Sequence, residues 1–214
     1  MSLLECLVGL ALCMILLNPL LTSSADVFSK QIEYEKTQAL ISEADRAFEL
    51  IGRAIRMASY RNIKSSKEML ETGASFDRYL EIRKGIGFRG SDALFIRHEL
   101  SDGADFDCIG NALTQERTKN HLAYQGFIVE RQASLPKGVK ANGGSLICQS
   151  LDRQGRMQNT TLMNDVDSLK VEEIQAPSGV PASIQKLYEV TLQMTDGARL
   201  NITLERTFAS RNFL

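Results

Sequence analysis

The sequence predicts an α+β protein in which one long N-terminal helix packs on an antiparallel β-sheet. Three observations carry this expectation. Residues 6–25 carry no charge and are almost wholly apolar. Beyond them, apolar residues recur at alternating steps of three and four as far as Ala58, which is one stripe of a helix. From Asp92 onward the apolar period changes to two, the period of half-buried strands. The expected order is therefore an apolar helix half at 1–25, an amphipathic helix half at 26–60, a connecting region at 61–90 and a sheet domain at 91–214.

The apolar run is about twenty residues long, the length that a helix needs to cross a bilayer core. Two segment types fit. One is a signal peptide, with Ser23-Ser24-Ala25 as a small-residue cleavage site before Asp26; the other is a retained membrane helix. The absence of a basic n-region, an acid (Glu5) where Lys or Arg belongs, and the length of the run favour the retained helix.

In the next segment Ile41, Ala44, Phe48, Ile51, Ile55 and Ala58 form the apolar stripe, while Glu43, Asp45, Arg46, Glu49, Arg53 and Arg56 fall largely off it. Glu49 and Arg53 form an i,i+4 pair in the better orientation. Acids come early (Asp26, Glu33, Glu35) and bases late, as the helix dipole favours. Pro19 is expected to kink the helix rather than end it, because apolar residues continue on both sides. The expected helix runs from about residue 2 to residue 60, roughly 90 Å at 1.5 Å per residue.

Residues 61–90 mix Asn62, Ser65, Ser66, Gly73, Gly85, Gly87 and Gly90, which reads as a connection with a short helix at 66–70. Candidate strands follow at 93–98, 123–131, 145–149, 168–174, 187–194 and 198–206. The last two form the clearest hairpin. A two-residue Asp196-Gly197 loop would set Met194 against Arg199. A three-residue loop, Thr195-Asp196-Gly197, sets Met194 against Ala198 and puts Gly at the left-handed position. The three-residue loop is the expectation.

Composition narrows the function. With 25 basic and 26 acidic residues the net charge is -1, and no basic run occurs, so nothing argues for a nucleic-acid partner. Only two His occur and no clustered ligand set accompanies them, so no metal site and no cofactor are expected. No catalytic constellation is present, and no small-molecule substrate is indicated. His98 and His121 read as ordinary histidines. Gly85-x-Gly87-x-x-Gly90 matches a dinucleotide fingerprint only formally, since it precedes a strand and opens no helix. Cys6 and Cys13 lie in the apolar run and read as free packing residues. Cys108 and Cys148 lie in the polar part. If that part is exported they are a natural disulfide pair, closing a loop for roughly 4 kcal/mol of stabilisation; the other reading is two buried thiols.

Glu5 is the one polar group out of place. An ionised carboxylate in a bilayer costs several kcal/mol unless it is shallow or paired. Either it lies at the interface, or it meets a positive charge delivered by another chain, such as the N-terminal ammonium of a neighbouring helix. The second reading makes Glu5 a register device for assembly.

Met1-Ser2-Leu3-Leu4-Glu5, followed by an uncharged and then an amphipathic helix, resembles the mature N-terminus of type IV pilins and pseudopilins. The stretch Arg46-Ala-Phe-Glu-Leu-Ile-Gly-Arg-Ala-Ile-Arg-Met-Ala-Ser-Tyr-Arg61 resembles the helix end of PilW-type minor pilins. So do Ser91-Asp92-Ala93-Leu94, Asp107-Cys108-Ile109-Gly110 with Cys148, Val166-Asp-Ser-Leu-Lys-Val171 and Arg206-Thr-Phe-Ala-Ser-Arg-Asn212. Met1 stands where Phe is usual, and Ser59 where Gly is usual before Tyr60.

The resemblance implies a pilin fold and a structural, non-enzymatic role. Met1 would be exposed by a prepilin peptidase, which removes a leader, and then methylated; Glu5 would be the assembly residue. The implied partners are other minor pilins, the major pilin, the prepilin peptidase and an inner-membrane assembly platform. The implied location is the bacterial inner membrane, single-pass with the C-terminal domain in the periplasm, and then the pilus tip. The same architecture also serves type II secretion and DNA uptake. A secreted binding domain with a cleaved signal is the alternative of a different class, and it predicts a mature start at Asp26.

Overall fold

A computed structural model describes residues 3–58, 60, 62, 79–119, 122–132, 143–174 and 186–210. The short helix expected at 66–70, Met1 and His121 lie outside these residues. Helix α1 runs from Leu3 to Met57 and passes through Pro19 without ending. The Thr22 hydroxyl donates back to the carbonyls of Asn18 and Pro19, one turn away. The chain divides into two units, Met1–Ala39 and Leu40–Leu214. The described part of the first is helix alone; the second holds the end of α1 and all of the sheet.

Seven antiparallel strands follow in chain order, each beside its sequence neighbour: β1 (Leu80–Arg83), β2 (Ala93–Glu99), β3 (Leu122–Arg131), β4 (Gly144–Leu151), β5 (Met157–Ile174), β6 (Leu187–Thr195) and β7 (Asn201–Ala209). The α+β layout expected from the sequence is the one observed. Strand alternation puts Leu94, Ile96, Phe127, Val129, Leu146, Leu169, Val171, Val190, Leu192 and Met194 on one face, where they share a single core with the end of α1. From the helix, Ala44, Phe48, Ile51, Ile55 and Ala58 enter that core as expected. Leu40 enters in place of Ile41, and Ala47 and Ala54 widen the stripe.

Three strands differ from expectation: β7 runs Asn201–Ala209 rather than 198–206, and β1 and β5 differ as follows. β1 lies inside the stretch read as a connection; only Leu80 and Ile82 are apolar in it, too few to show a period. β5 begins eleven residues before its expected start, at Met157 rather than Ser168. Its first half, Gln158-Asn159-Thr160-Thr161, is polar with no residue fully buried, so no apolar alternation marks it. That half pairs with β4, and the second half pairs with β6. Register shifts between Gly144 and Leu146 and between Val166 and Ser168, with Asp165 at φ 62°, bend the strand at the change of partner.

The last hairpin corrects the three-residue loop. Met194 faces Ile202 and Thr195 faces Asn201, leaving a five-residue loop over 196–200. The reason is the Asp196 carboxylate. One of its oxygens accepts from the backbone N–H groups of Ala198, Arg199 and Leu200, each at 2.9 Å, which closes the longer turn. The slip from the expected register is four residues. An even slip preserves the faces, so apolar still meets apolar.

The sheet curls. At the start of β2, the Asp92 N–H donates to the Leu169 carbonyl of β5 at 2.7 Å, and the Leu169 N–H donates to the Ser91 hydroxyl. Strands three places apart in the sheet are tied there by direct hydrogen bonds.

Candidate functional site

The first unit presents an apolar surface. Every large apolar side chain from Leu3 to Leu21, a dozen in all, is exposed by 51 to 81 %. The window of highest hydropathy in α1 averages 2.1, and none of it is buried. The helix is long and apolar enough to cross a membrane. At about 1.5–3 kcal/mol per large apolar side chain, covering this surface would release on the order of 20 kcal/mol. Cys6 and Cys13 are free and exposed on it. Glu5 is a helical position two residues after the described start of α1. Farther along, Val27, Phe28, Ile32 and Tyr34 are also exposed, here interspersed with Lys30, Glu33, Glu35 and Lys36.

In the second unit, α1 is seated against β7. Gly52 leaves room for the Phe208 ring, which lies 6.4 Å from the Phe48 ring. The Arg206 guanidinium donates to Asp45 at 2.7 Å, approaches Glu49 at 3.9 Å and lies over the Phe48 ring. Arg53, expected to pair with Glu49, lies instead over the Phe106 ring at 5.7 Å. Packing on neighbouring elements has thus outcompeted the local i,i+4 pair, which is worth only about 0.2–0.5 kcal/mol. The stretches around Arg46–Arg61 and Arg206–Asn212, far apart in sequence, meet here through their described residues.

Cys108 and Cys148 form a disulfide that joins the β2–β3 connection to β4 across 40 residues. The Asp107-Cys108-Ile109-Gly110 turn has a clear local cause. The buried Asp107 carboxylate accepts from the N–H groups of Ile109 and Asn111 and from the Asn111 amide. Gly110 takes φ 97°, and its N–H donates to the Asp107 carbonyl. The turn presents Cys108 inward, buried, toward Cys148 in the core.

Asp92 is a second buried carboxylate with three donors. It accepts from the Val171 N–H, the Lys84 ammonium and the Gly85 N–H, each at 3.0 Å. Burial alone would raise its pKa, but these donors together hold it below the usual carboxylate range. The formal Gly85-x-Gly87-x-x-Gly90 motif lies in this β1–β2 connection. Gly85 and Gly90 take positive φ there, and Gly85 gives its N–H to a carboxylate of the chain itself.

His98 is buried in β2 facing α1. Its Nδ1 donates to the Glu99 carbonyl at 2.9 Å, which leaves Nε2 as acceptor, 3.4 Å from the Gln125 amide nitrogen. Burial lowers its pKa below 6.5; the nearby Arg53 pushes the same way, while Asp105 and the Glu99 carbonyl oppose. Among the described residues, no group of three or more His, Cys, Asp or Glu side chains is placed to hold a metal ion.

Compared with known proteins, the chain matches no family model, no curated protein and no solved structure. The structural roles of Asp92, Asp107 and Asp196 went unread in the sequence analysis. The signal for Asp107 and Asp196 was an Asp followed by a Gly within three residues, the signature of a side-chain-closed turn.

Proposed function

We propose that the chain is a minor pilin: a structural subunit with a pilin fold that joins other minor pilins in an inner-membrane priming complex, initiates type IV pilus assembly and sits at the pilus tip. The observation that carries this reading is the exposed apolar half of α1, with an acid at position 5 of the chain, continuous with an amphipathic half whose stripe completes the core of an antiparallel sheet. A chain built only to be secreted has no use for a helix that runs unbroken through the cleavage-like Ser23-Ser24-Ala25 into its own core.

In this reading the apolar half waits in the inner membrane with the sheet domain in the periplasm. Met1 is freed by a prepilin peptidase and methylated. As an assembly platform extracts the helix, Glu5 pairs with the N-terminal ammonium of a neighbour, a companion minor pilin or the major pilin. Inside a helical bundle that excludes water the pair is strong, and a mismatched register leaves a buried charge unpaired. The protein catalyses nothing and holds no cofactor; its work is complementarity. A pseudopilin of type II secretion or DNA uptake would use the same parts.

Glu5→Ala tests the mechanism. The sheet domain should keep its fold, while filament assembly, or capture of companion subunits from the membrane, falls sharply. Normal piliation by this variant at native expression contradicts the register role.

A further inference from the structure

A cavity of about 620 Å³ opens on the side of the sheet opposite the core. Its floor is apolar: Tyr124 of β3 and Leu122, Leu151 and Met157 at the strand ends around it. Its rim is cationic: Arg97 of β2, Lys119 ahead of β3, and Arg156 of the β4–β5 turn. Among the described residues that line it there is no carboxylate. Two acids pair with the rim and its neighbour Arg83. Glu81 is shared between Arg83, at 2.8 Å, and Arg97, at 4.0 Å, and Asp152 holds Arg156 at 3.0 Å. Arg97 also lies over the Tyr124 ring, which stacks on Phe95, so the floor is a braced aromatic surface.

We propose that this cavity binds an acidic peptide segment, one that carries one or two carboxylates beside an apolar side chain. The volume is that of a ligand site. The exposed Met157 and the half-buried Tyr124 form a floor that favours an apolar side chain, since a small inorganic anion gains nothing from it. The three cations come from three separate segments around that floor, which suits carboxylates spread along a chain. A nucleic-acid backbone is a poorer fit. The three rim cations ring a compact apolar floor, and a phosphate ladder needs an extended basic track. The inference stands apart from the pilin reading, because it rests on the lining of the sheet and not on α1.

The test uses the full chain in detergent micelles, titrated with acetylated, amidated Glu-Leu-Glu-Phe and with its Lys-Leu-Lys-Phe counterpart. The acidic peptide should saturate at up to about 1 mM, weaken as salt rises, and outbind the basic one by at least about tenfold. Lys119→Glu and the Lys119→Glu/Arg156→Gln double variant, both at exposed positions, should each weaken it by about tenfold or more at unchanged helical signal. Met157→Ser keeps the rim charge and removes part of the floor; it should weaken the peptide and leave its salt dependence in place. Equal binding of both peptides, no saturation, or indifference to these variants overturns the proposal. Full displacement by an equal concentration of inorganic phosphate also overturns it, and marks a simple anion site.

Discussion

The Phe208 ring occupies the space where a Cβ on Gly52 would lie: the nearest ring carbon is 2.3 Å from that position. This contact sets how closely the end of α1 approaches β7, with Phe48 beside it and Arg206 reaching Asp45 above it. Gly52→Ala gains up to about 1 kcal/mol in helix propensity but incurs overpacking of about 1–3 kcal/mol. Net destabilisation of about 1 kcal/mol is expected in denaturant unfolding. In a Phe208→Leu background the same change should become neutral or stabilising. A Gly52→Ala variant that is more stable than the parent would show that the ring yields freely.

The Cys108–Cys148 bond should be worth about 3–4 kcal/mol, on the order of 10 °C in melting temperature for a domain of this size. Cys108→Ala/Cys148→Ala tests this without leaving a lone thiol. Thiol titration of the denatured, unreduced protein should find only Cys6 and Cys13 reactive. Reaction at all four positions would contradict the pairing.

Acid should weaken the domain in two separate windows. His98 is held neutral below its ordinary 6.5, so the unfolded chain takes up that proton first. Stability therefore falls as pH drops from about 6.5 toward the folded value, then levels. Asp92 has the opposite charge type and a lowered pKa, so its contribution is complete above the ordinary 3.8 and is lost as pH falls through the folded value. His98→Gln should flatten the upper window alone, and Asp92→Asn the lower one alone. Chemical denaturation across pH 3–7 reads both. Loss of both windows in either single variant would contradict the assignment.

Much of the architecture was legible because burial writes itself into residue periods. The stripe from Ala44 to Ala58 and the alternation of β6 are buried on one side, so their periods are sharp. The first half of β5 is paired but not buried, and hydrogen bonds between backbones leave no mark on side-chain type. The hairpin register failed for a related reason. Alternation fixes which residues share a face but cannot distinguish registers that differ by an even number, and the choice fell to the Asp196 turn. The cationic cavity was hidden because Arg97, Lys119 and Arg156 are scattered over three segments that only folding brings together. The apolar half of α1 was the reverse case: a single unbroken run whose exposure in the structure is what the run implies.

A pilin subunit must retain the apolar half of α1 and use it. The most direct measurement is intact mass with N-terminal peptide mapping of the protein from its native membrane, with and without the prepilin peptidase. The account predicts a methylated Met1 that depends on the peptidase, with Glu5 retained at the fifth position. A mature chain starting at Asp26 would contradict it, since the helix half that carries Glu5 would then be a discarded signal.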